Sequence, residues 1–205
     1  MMTAKVMLLG DIGVGKSSLA RRFVFDRFEA DYKTTIGVDV LTHDLDLGPE
    51  GDNETLRFVL WDTDGDFGVR IFETVYLAGA SAAIVVADAT RPATLVKMAG
   101  LVSHFEDKFP GRPVSAIVNK IDIRPEQGDM GDMAGDIARD LPIAYTSART
   151  GKGVSEMFLS LGLAIWRRRA LGAFLQREAP PLCPVLPARL RWVSSPLPLW
   201  PPVVP

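Results

Sequence analysis

The stretch Gly10-Asp11-Ile12-Gly13-Val14-Gly15-Lys16-Ser17 decides the fold of this chain. It fills every fixed position of the pattern G-x-x-x-x-G-K-[ST], and it stands between an apolar run, Lys5–Leu9, and a helical pattern, Lys16–Phe25. In that context the glycines let backbone N–H groups point at phosphate oxygens, and the helix amino terminus adds its dipole. The stretch therefore predicts a phosphate-binding loop, with Lys16 as a charge for the outer phosphates and Ser17 as a hydroxyl ligand of Mg²⁺.

Short apolar runs and longer amphipathic segments alternate outward from this loop. Further strands are predicted at Leu56–Trp61, Ala82–Ala87, Val114–Asn119 and, more weakly, Ile143–Tyr145; further helices are predicted at Val69–Leu77, Ala93–Phe109, Asp132–Asp140 and Val154–Arg169. Apolar strands separated by helices indicate a mostly parallel sheet with helices on both faces. The alternating segment Val38–Leu47 reaches the next strand through a short turn, which predicts one antiparallel edge pair. We expect a three-layer α/β fold with about six strands.

Composition limits the class of protein. The chain has 205 residues and a formal net charge of -2, so its charge gives no reason to expect a nucleic-acid partner. Its single cysteine, Cys183, excludes an internal disulfide and fits a reducing compartment. The apolar run before Gly10 is too short for a signal peptide or a membrane span. We therefore expect a soluble, cytoplasmic protein and a monomer.

The chain divides at about residue 176. Residues 1–175 carry the alternating pattern of one domain, whereas prolines then recur at positions 180, 181, 184, 187, 196, 198, 201, 202 and 205. Proline fixes φ and removes a backbone donor, so neither a helix nor a central strand tolerates this density. We predict a disordered or polyproline II tail over 176–205.

A second motif, Asn119-Lys120-Ile121-Asp122, closes the predicted strand Val114–Asn119. A carboxylate there can accept from the ring N–H and the exocyclic amine of guanine, a pair of donors that adenine does not offer. Lys120 can lay its aliphatic stem along the base, and a backbone N–H of Thr146-Ser147-Ala148 could meet the guanine carbonyl oxygen. Taken alone, Asp122 would be interpreted as a cap or turn residue; beside a phosphate loop it indicates guanine.

Together these motifs resemble the Ras superfamily of small GTPases, and the Rab branch fits best. The resemblance covers Lys5 to about Arg169 and implies the P-loop NTPase fold. It includes three further segments that are similar to switch I, to the start of switch II and to the third guanine-contacting loop of that family: Lys33–Asp39, Trp61–Gly65 and Thr146–Gly151. An unrelated phosphate-loop kinase or ATPase is a remote alternative, which nucleoside preference would exclude.

The resemblance implies a role for each matching residue. Thr35 would meet Mg²⁺ and the γ-phosphate, Asp62 would hold the Mg²⁺ shell through water, and the Gly65 amide would contact the γ-phosphate. Phe28 would lie against the base edge, with simple core packing as the alternative. The implied metal set is Ser17, Thr35 and Asp62; the implied catalytic set is Lys16, Thr35, Gly65 and Asp66. The implied GTP/GDP-binding set is Gly10, Asp11, Ile12, Gly13, Val14, Gly15, Lys16, Ser17, Ser18, Phe28, Thr35, Gly65, Asn119, Lys120, Asp122, Ser147, Ala148 and Arg149.

Three residues depart from the family pattern. Asp66 replaces the glutamine that orients the attacking water, Asp64 replaces a small residue near the γ-phosphate, and Ile12 stands where the family prefers a small residue. A carboxylate about 5 Å from a phosphate charge is repelled by about 3 kcal/mol per unit charge at an effective dielectric constant of roughly 20. Ile12 adds branched bulk where an arginine finger would have to pass.

These departures lead us to expect slow intrinsic hydrolysis. A stronger version holds that Asp64 and Asp66 disfavour GTP itself; a milder one holds that both carboxylates are simply solvated. A second class of function, a nucleotide-dependent interaction module with negligible turnover, stays open at this point. Turnover measurements separate it from a GTPase.

The resemblance also implies effector and exchange-factor proteins that bind through the switch loops. The family's terminal prenylation cysteines are missing: the chain ends in Val203-Val204-Pro205, and Cys183 is not in a C-a-a-X context. Arg167-Arg168-Arg169 could touch anionic lipid weakly. We expect at most weak peripheral membrane contact and no nucleic-acid partner.

Overall fold

The computed structural model of the chain describes residues 1–28, 35, 37–65, 70–71, 75–123 and 142–178, with side chains up to residue 172. In these ranges it contains the strands β1 (Met2–Gly10), β2 (Val38–Asp46), β3 (Thr55–Thr63), β4 (Ala82–Asp88), β5 (Val114–Asn119) and β6 (Ile143–Tyr145). The α-helices of the same ranges are α1 (Lys16–Phe25), α2 (Ala93–Lys108) and α3 (Val154–Glu178).

The strands form one sheet in the order β2-β3-β1-β4-β5-β6. Only β2 pairs antiparallel, with β3, and the other neighbours are parallel. The predicted six-stranded α/β sheet with one antiparallel edge pair is therefore confirmed. Parallel pairing brings the carboxyl ends of β1, β3, β4, β5 and β6 to one edge of the sheet, which is where such folds place their ligands.

Two buried cores cover the faces of this sheet. Alternate residues of β1 serve both: Ala4, Val6 and Leu8 belong to one core, while Met7 and Leu9 belong to the other. The first core contains residues of α1 and α3, and the second contains residues of α2. Because both faces of β1 are buried, the strand has to be apolar throughout, as its sequence shows.

A group of aromatic rings fixes α1 against α3. Phe23 stacks on Phe158 with ring centroids 3.7 Å apart and planes 7° apart, and Phe58 of β3 meets Phe158 edge-on at 5.8 Å. Aromatic pairs of this kind add about 0.5–1.5 kcal/mol each beyond their buried area. The amino-terminal helix that follows the phosphate loop is thereby anchored to the carboxy-terminal helix.

The predicted end of the last helix is wrong. α3 runs to Glu178, whereas the sequence predicted an end at Arg169. Residues 170–178 are mostly good helix formers, and no breaker occurs before Pro180, so the helix continues. Residues 179–205 lie outside the described part of the chain.

Of two other predicted helices, Val69–Leu77 is described only in part and Asp132–Asp140 not at all. The segment Val69–Leu77 ends in a 3₁₀ turn at Val75–Leu77, after which Gly79 takes a positive φ of 74°. A left-handed residue of this kind ends a helical turn. Residues 66–69 and 72–74, and the whole predicted helix Asp132–Asp140, lie outside the described residues. Within the described ranges no helix is both long and apolar enough to cross a membrane.

Candidate functional site

The phosphate loop connects β1 to α1 and depends on its glycines for both conformation and space. Gly10, Gly13 and Gly15 have positive φ values of 141°, 71° and 99°, which side-chain-bearing residues rarely adopt. A Cβ on Gly10 would collide with the Val86 carbonyl of β4, and one on Gly15 would collide with the Asn119 amide of β5. The loop can therefore approach the strand ends only because these positions have no side chain.

Six consecutive carbonyls of the loop, from residue 10 to residue 15, each accept a hydrogen bond. The pairs are Lys16 Nζ to Gly10 O and Asp11 O (both 3.0 Å), Arg91 Nη2 to Ile12 O (2.7 Å), Lys120 Nζ to Gly13 O (2.6 Å), Asn119 Nδ2 to Val14 O (3.0 Å) and Leu19 N to Gly15 O (2.9 Å). Because the C=O and N–H of a peptide unit point in opposite directions, holding the carbonyls this way turns the N–H groups toward the opposite side. A concave row of N–H groups is an anion site.

Asp88, at the carboxyl end of β4, organises two of these donors and was missed by the sequence analysis. Its side chain is 1% exposed. It accepts from Lys120 Nζ at 2.8 Å, from Arg91 Nε at 3.0 Å and from the Thr90 hydroxyl at 2.7 Å. Burial would raise the pKa of Asp88, but the hydrogen bonds from Lys120 and Thr90 outweigh it, so the pKa is lowered. An ionised Asp88 thus positions the Lys120 and Arg91 side chains to donate to carbonyls of the phosphate loop.

Asn119 joins the phosphate loop to the loop after β6. Its amide nitrogen donates to Val14 O, and its oxygen accepts from the Ala148 N–H at 3.1 Å and from the Thr146 hydroxyl at 3.3 Å. The side chain is 1% exposed. Asn119 therefore connects two loops, and the Ala148 N–H, a candidate donor to guanine, is engaged by it in this structure.

Asp122 lies in a 3₁₀ turn, Ile121–Ile123, directly after β5. Ser147 Oγ donates to its Oδ1 at 2.6 Å, and Arg149 Nη1 approaches its Oδ2 at 3.9 Å. The predicted guanine-contacting residues of the two loops are thus brought together. Asp122 is a turn residue by its backbone, as the simpler interpretation predicted. Its carboxylate is also held by Ser147 of the neighbouring loop, so the turn is compatible with a role in guanine binding.

Arg22 of α1 holds the loop after β6 in place, a role that the sequence analysis did not predict. Its Nε donates to the Ala148 carbonyl at 2.7 Å, and its Nη2 donates to the Arg149 carbonyl at 2.6 Å. No local signal identifies this residue, because the partners are more than 120 positions apart along the chain. The helix that begins at Lys16 therefore also positions the predicted base-binding loop.

The predicted metal ligands meet beside Lys16. The hydroxyls of Ser17 and Thr35 lie 2.9 Å apart. Asp62 at the end of β3 is 2% exposed, and its Oδ1 has no hydrogen-bond partner among the described residues. Burial raises the pKa of Asp62, against the lowering influence of Ser17 and Lys16. A buried carboxylate oxygen without a donor, next to two hydroxyls, fits a hard divalent cation, for which oxygen ligands are preferred.

The start of switch II packs directly on the phosphate loop. The Asp64 N–H donates to the Gly37 carbonyl at 2.9 Å. A Cβ on Gly65 would collide with the Ile12 backbone, so the missing side chain allows this close approach.

Two of the predicted nucleotide-binding side chains are partly exposed, Ile12 by 37% and Phe28 by 39%. Phe28 belongs to neither core, so core packing does not account for it. Asp66 lies outside the described residues.

We predict that Asp88→Asn destabilises the protein at neutral pH by about 2–3 kcal/mol, because charged hydrogen bonds of this kind contribute about 1.5–3 kcal/mol. The native pKa of Asp88 is lowered, so its stabilising effect is present above the unfolded pKa of about 3.9 and is lost as pH falls through the native value. Urea unfolding of both proteins from pH 7 to pH 3 should show the difference shrinking in acid. A difference that does not depend on pH would contradict this.

Comparisons with known proteins agree with the geometry. The model of the Ras family matches residues 5–167. Human Ras-related protein Rab-22A is 34% identical over 164 residues, which cover 78% of this chain and 82% of that protein. GTP-binding protein ypt5 of Schizosaccharomyces pombe is 35% identical over 161 residues, covering 77% and 75%. GTP-binding protein YPT52 of Saccharomyces cerevisiae is 30% identical over 190 residues, covering 79% and 81%. The chain belongs to the Ras family and is a Rab-like small GTPase.

Proposed function

We propose that this GTPase is a slow molecular switch, in which the loop of residues 10–17 holds the phosphates of GTP or GDP together with Mg²⁺. The observation that carries the proposal is the set of six engaged carbonyls, because carbonyls that are held by other donors leave the N–H groups of the same peptide units available to an anion. A site whose dipoles are fixed in advance stabilises charge without reorganising at the moment of reaction.

Lys16 and the Mg²⁺ ligands supply the remaining charge stabilisation. Lys16 is buried, and its ammonium donates to neutral carbonyls. It can therefore donate to phosphate oxygens without first breaking a hydrogen-bonded ion pair with a carboxylate. Ser17, Thr35 and Asp62 would hold Mg²⁺, which neutralises charge that develops on the phosphates. Water attacks the γ-phosphorus in line, GDP leaves, and positioning does most of the catalytic work.

The loops after β5 and β6 would select the base. Ser147 Oγ and Arg149 Nη1 hold the Asp122 carboxylate in the loop after β5, where it would accept from the paired donors of guanine. The Lys120 ammonium is anchored on Gly13 O and Asp88, so its aliphatic stem is held in place for the base. Phe28, half-exposed outside the cores, is free to cover the base edge.

Slow hydrolysis follows from the residues around the γ-phosphate position. Asp66 is shorter than glutamine and, when ionised, cannot donate a hydrogen bond to the transition state. Ile12 presents branched bulk at the rim of the loop. The alternative of an interaction module without turnover gains nothing from the comparisons, since the relatives match the whole GTPase region.

Partners would bind next to the switch segments. Three apolar side chains on or near the strands that border the switch segments are exposed: Val40 (45%), Val75 (82%) and Tyr76 (36%). Exposed apolar side chains of this size commonly mark a protein-binding surface, and we assign this one to effectors and exchange factors. We propose a cytoplasmic monomer. Its membrane contact would be weak at most, because Arg169 and Arg167 already contact Thr3 O and Glu50.

If Asp62 holds Mg²⁺, Asp62→Asn should remove most of the metal dependence of nucleotide binding. We expect Mg²⁺ to tighten GDP binding to the parent protein by about tenfold or more relative to excess EDTA, since a buried carboxylate ligand contributes strongly to a hard cation site. Fluorescent GDP titrations measure both values. Asp107→Asn, an exposed substitution on α2, is the matched control and should behave like the parent. Equal Mg²⁺ dependence in the Asp62 variant would contradict the assignment.

Replacing Asp66 with glutamine should accelerate GTP hydrolysis. The amide restores a donor and removes a negative charge, each of which favours the transition state, so we expect an increase of about tenfold or more. Single-turnover release of γ-phosphate with saturating protein measures the chemical step without product release. If Asp66→Gln is no faster than the parent, residue 66 does not limit hydrolysis.

A further inference from the structure

The loop after β6 is a compact turn that is closed by its own hydrogen bonds. The Ser147 carbonyl accepts from the Gly151 N–H at 2.8 Å, and the Ser147 hydroxyl accepts from the Thr150 N–H at 3.1 Å. The carbonyls of Ala148 and Arg149 lie between these bonds and accept instead from a side chain of α1. The conformation of this part of the loop therefore depends on a group outside the loop.

That group is the guanidinium of Arg22, which connects the loop to the end of α1. Its Nε donates to Ala148 O at 2.7 Å and its Nη2 donates to Arg149 O at 2.6 Å. Its Nη1 donates to both the carbonyl and the carboxylate of Asp26, at 3.1 Å and 3.0 Å. The Arg22 side chain is only 17% exposed. Because a guanidinium holds its donors in one rigid plane, the two adjacent carbonyls are fixed together.

The bond from Arg22 Nε also sets the direction of one N–H group of the loop. The C=O and N–H of a trans peptide unit point in opposite directions, so an Ala148 carbonyl that faces Arg22 turns the Arg149 N–H away from it. The neighbouring Ala148 N–H already donates to Asn119 Oδ1 at 3.1 Å. The Arg149 N–H has no hydrogen-bond acceptor among the described residues. It is therefore the N–H of this peptide pair that is left for a ligand.

We propose that Arg22 is a positioning residue for the base: it holds the peptide unit between Ala148 and Arg149 so that the Arg149 N–H donates to the guanine carbonyl oxygen. The inference rests on the proposed function, because it assumes that the loops after β5 and β6 bind guanine. It deepens that function by assigning a determinant of base recognition that lies outside both loops. Without the guanidinium this peptide unit is free to rotate, and the contact to the carbonyl oxygen is lost.

The test combines a change in the protein with a change of one atom in the ligand. GDP is compared with 6-thioguanosine diphosphate, in which sulfur, a weak acceptor, replaces the carbonyl oxygen. Competition against fluorescent GDP in the presence of Mg²⁺ gives both dissociation constants. The parent should prefer GDP by about fivefold to tenfold, the range that one neutral hydrogen bond supplies.

Arg22→Met removes the guanidinium and keeps an apolar stem of similar length. We expect the preference for GDP over the thio analogue to fall to about twofold or less, with most of the loss in GDP affinity. Arg22→Lys keeps one donor for the two carbonyls and should show an intermediate preference. This variant also decides the question if Arg22→Met does not fold.

Arg27→Gln is the matched control, because it removes one positive charge from an exposed residue just beyond the same end of α1. It should leave both constants unchanged. A purely structural role of Arg22 would weaken both ligands by the same factor, so an unaltered preference in the Arg22 variants would overturn the inference. A parent that binds GDP but does not distinguish it from the thio analogue would overturn it as well. A parent that binds neither ligand would instead refute the proposed function.

Discussion

The phosphate loop depends on one constraint: every carbonyl from residue 10 to residue 15 has to have a hydrogen-bond donor. Six of them in succession accept hydrogen bonds, and most of the donors are side chains rather than helix amides. Each engaged carbonyl sets the direction of the N–H on the other side of its peptide unit. The backbone of the proposed anion site is therefore held in place by side chains, of which Lys16 is the one that we propose to contact the phosphates.

Those side chains link the phosphate side of the site to the base side. Asn119 bonds to the phosphate loop with its nitrogen and to Ala148 with its oxygen, while Lys120 reaches Gly13 O and is itself held by Asp88. Arg22 adds a connection from α1 to the base loop. A substitution in this group should consequently affect both halves of the nucleotide together. Thr35 and Asp62, which we propose as metal ligands, lie beside Ser17, and Gly65 lies against the Ile12 backbone.

Much of the fold could be predicted from local pattern alone. The predicted bounds of α1 agree with the structure, and so does the mostly parallel sheet with one antiparallel edge pair. Helix α3 runs past its predicted end at Arg169, because no breaker occurs in the sequence before Pro180. Within the site, Lys16, Ser17, Asn119 and Asp122 carry recognisable motifs. Asp88, Arg91 and Arg22 do not, since their roles depend on residues brought close only by the sheet.

The most direct test of this account is the identity of the nucleotide that the protein carries. Purified protein is denatured, and the released nucleotide is identified and quantified by ion-exchange chromatography against the protein concentration. The account predicts a guanine nucleotide in stoichiometric amount. Release of an adenine nucleotide in that amount would contradict the central claim that the loops after β5 and β6 read guanine above the phosphate loop.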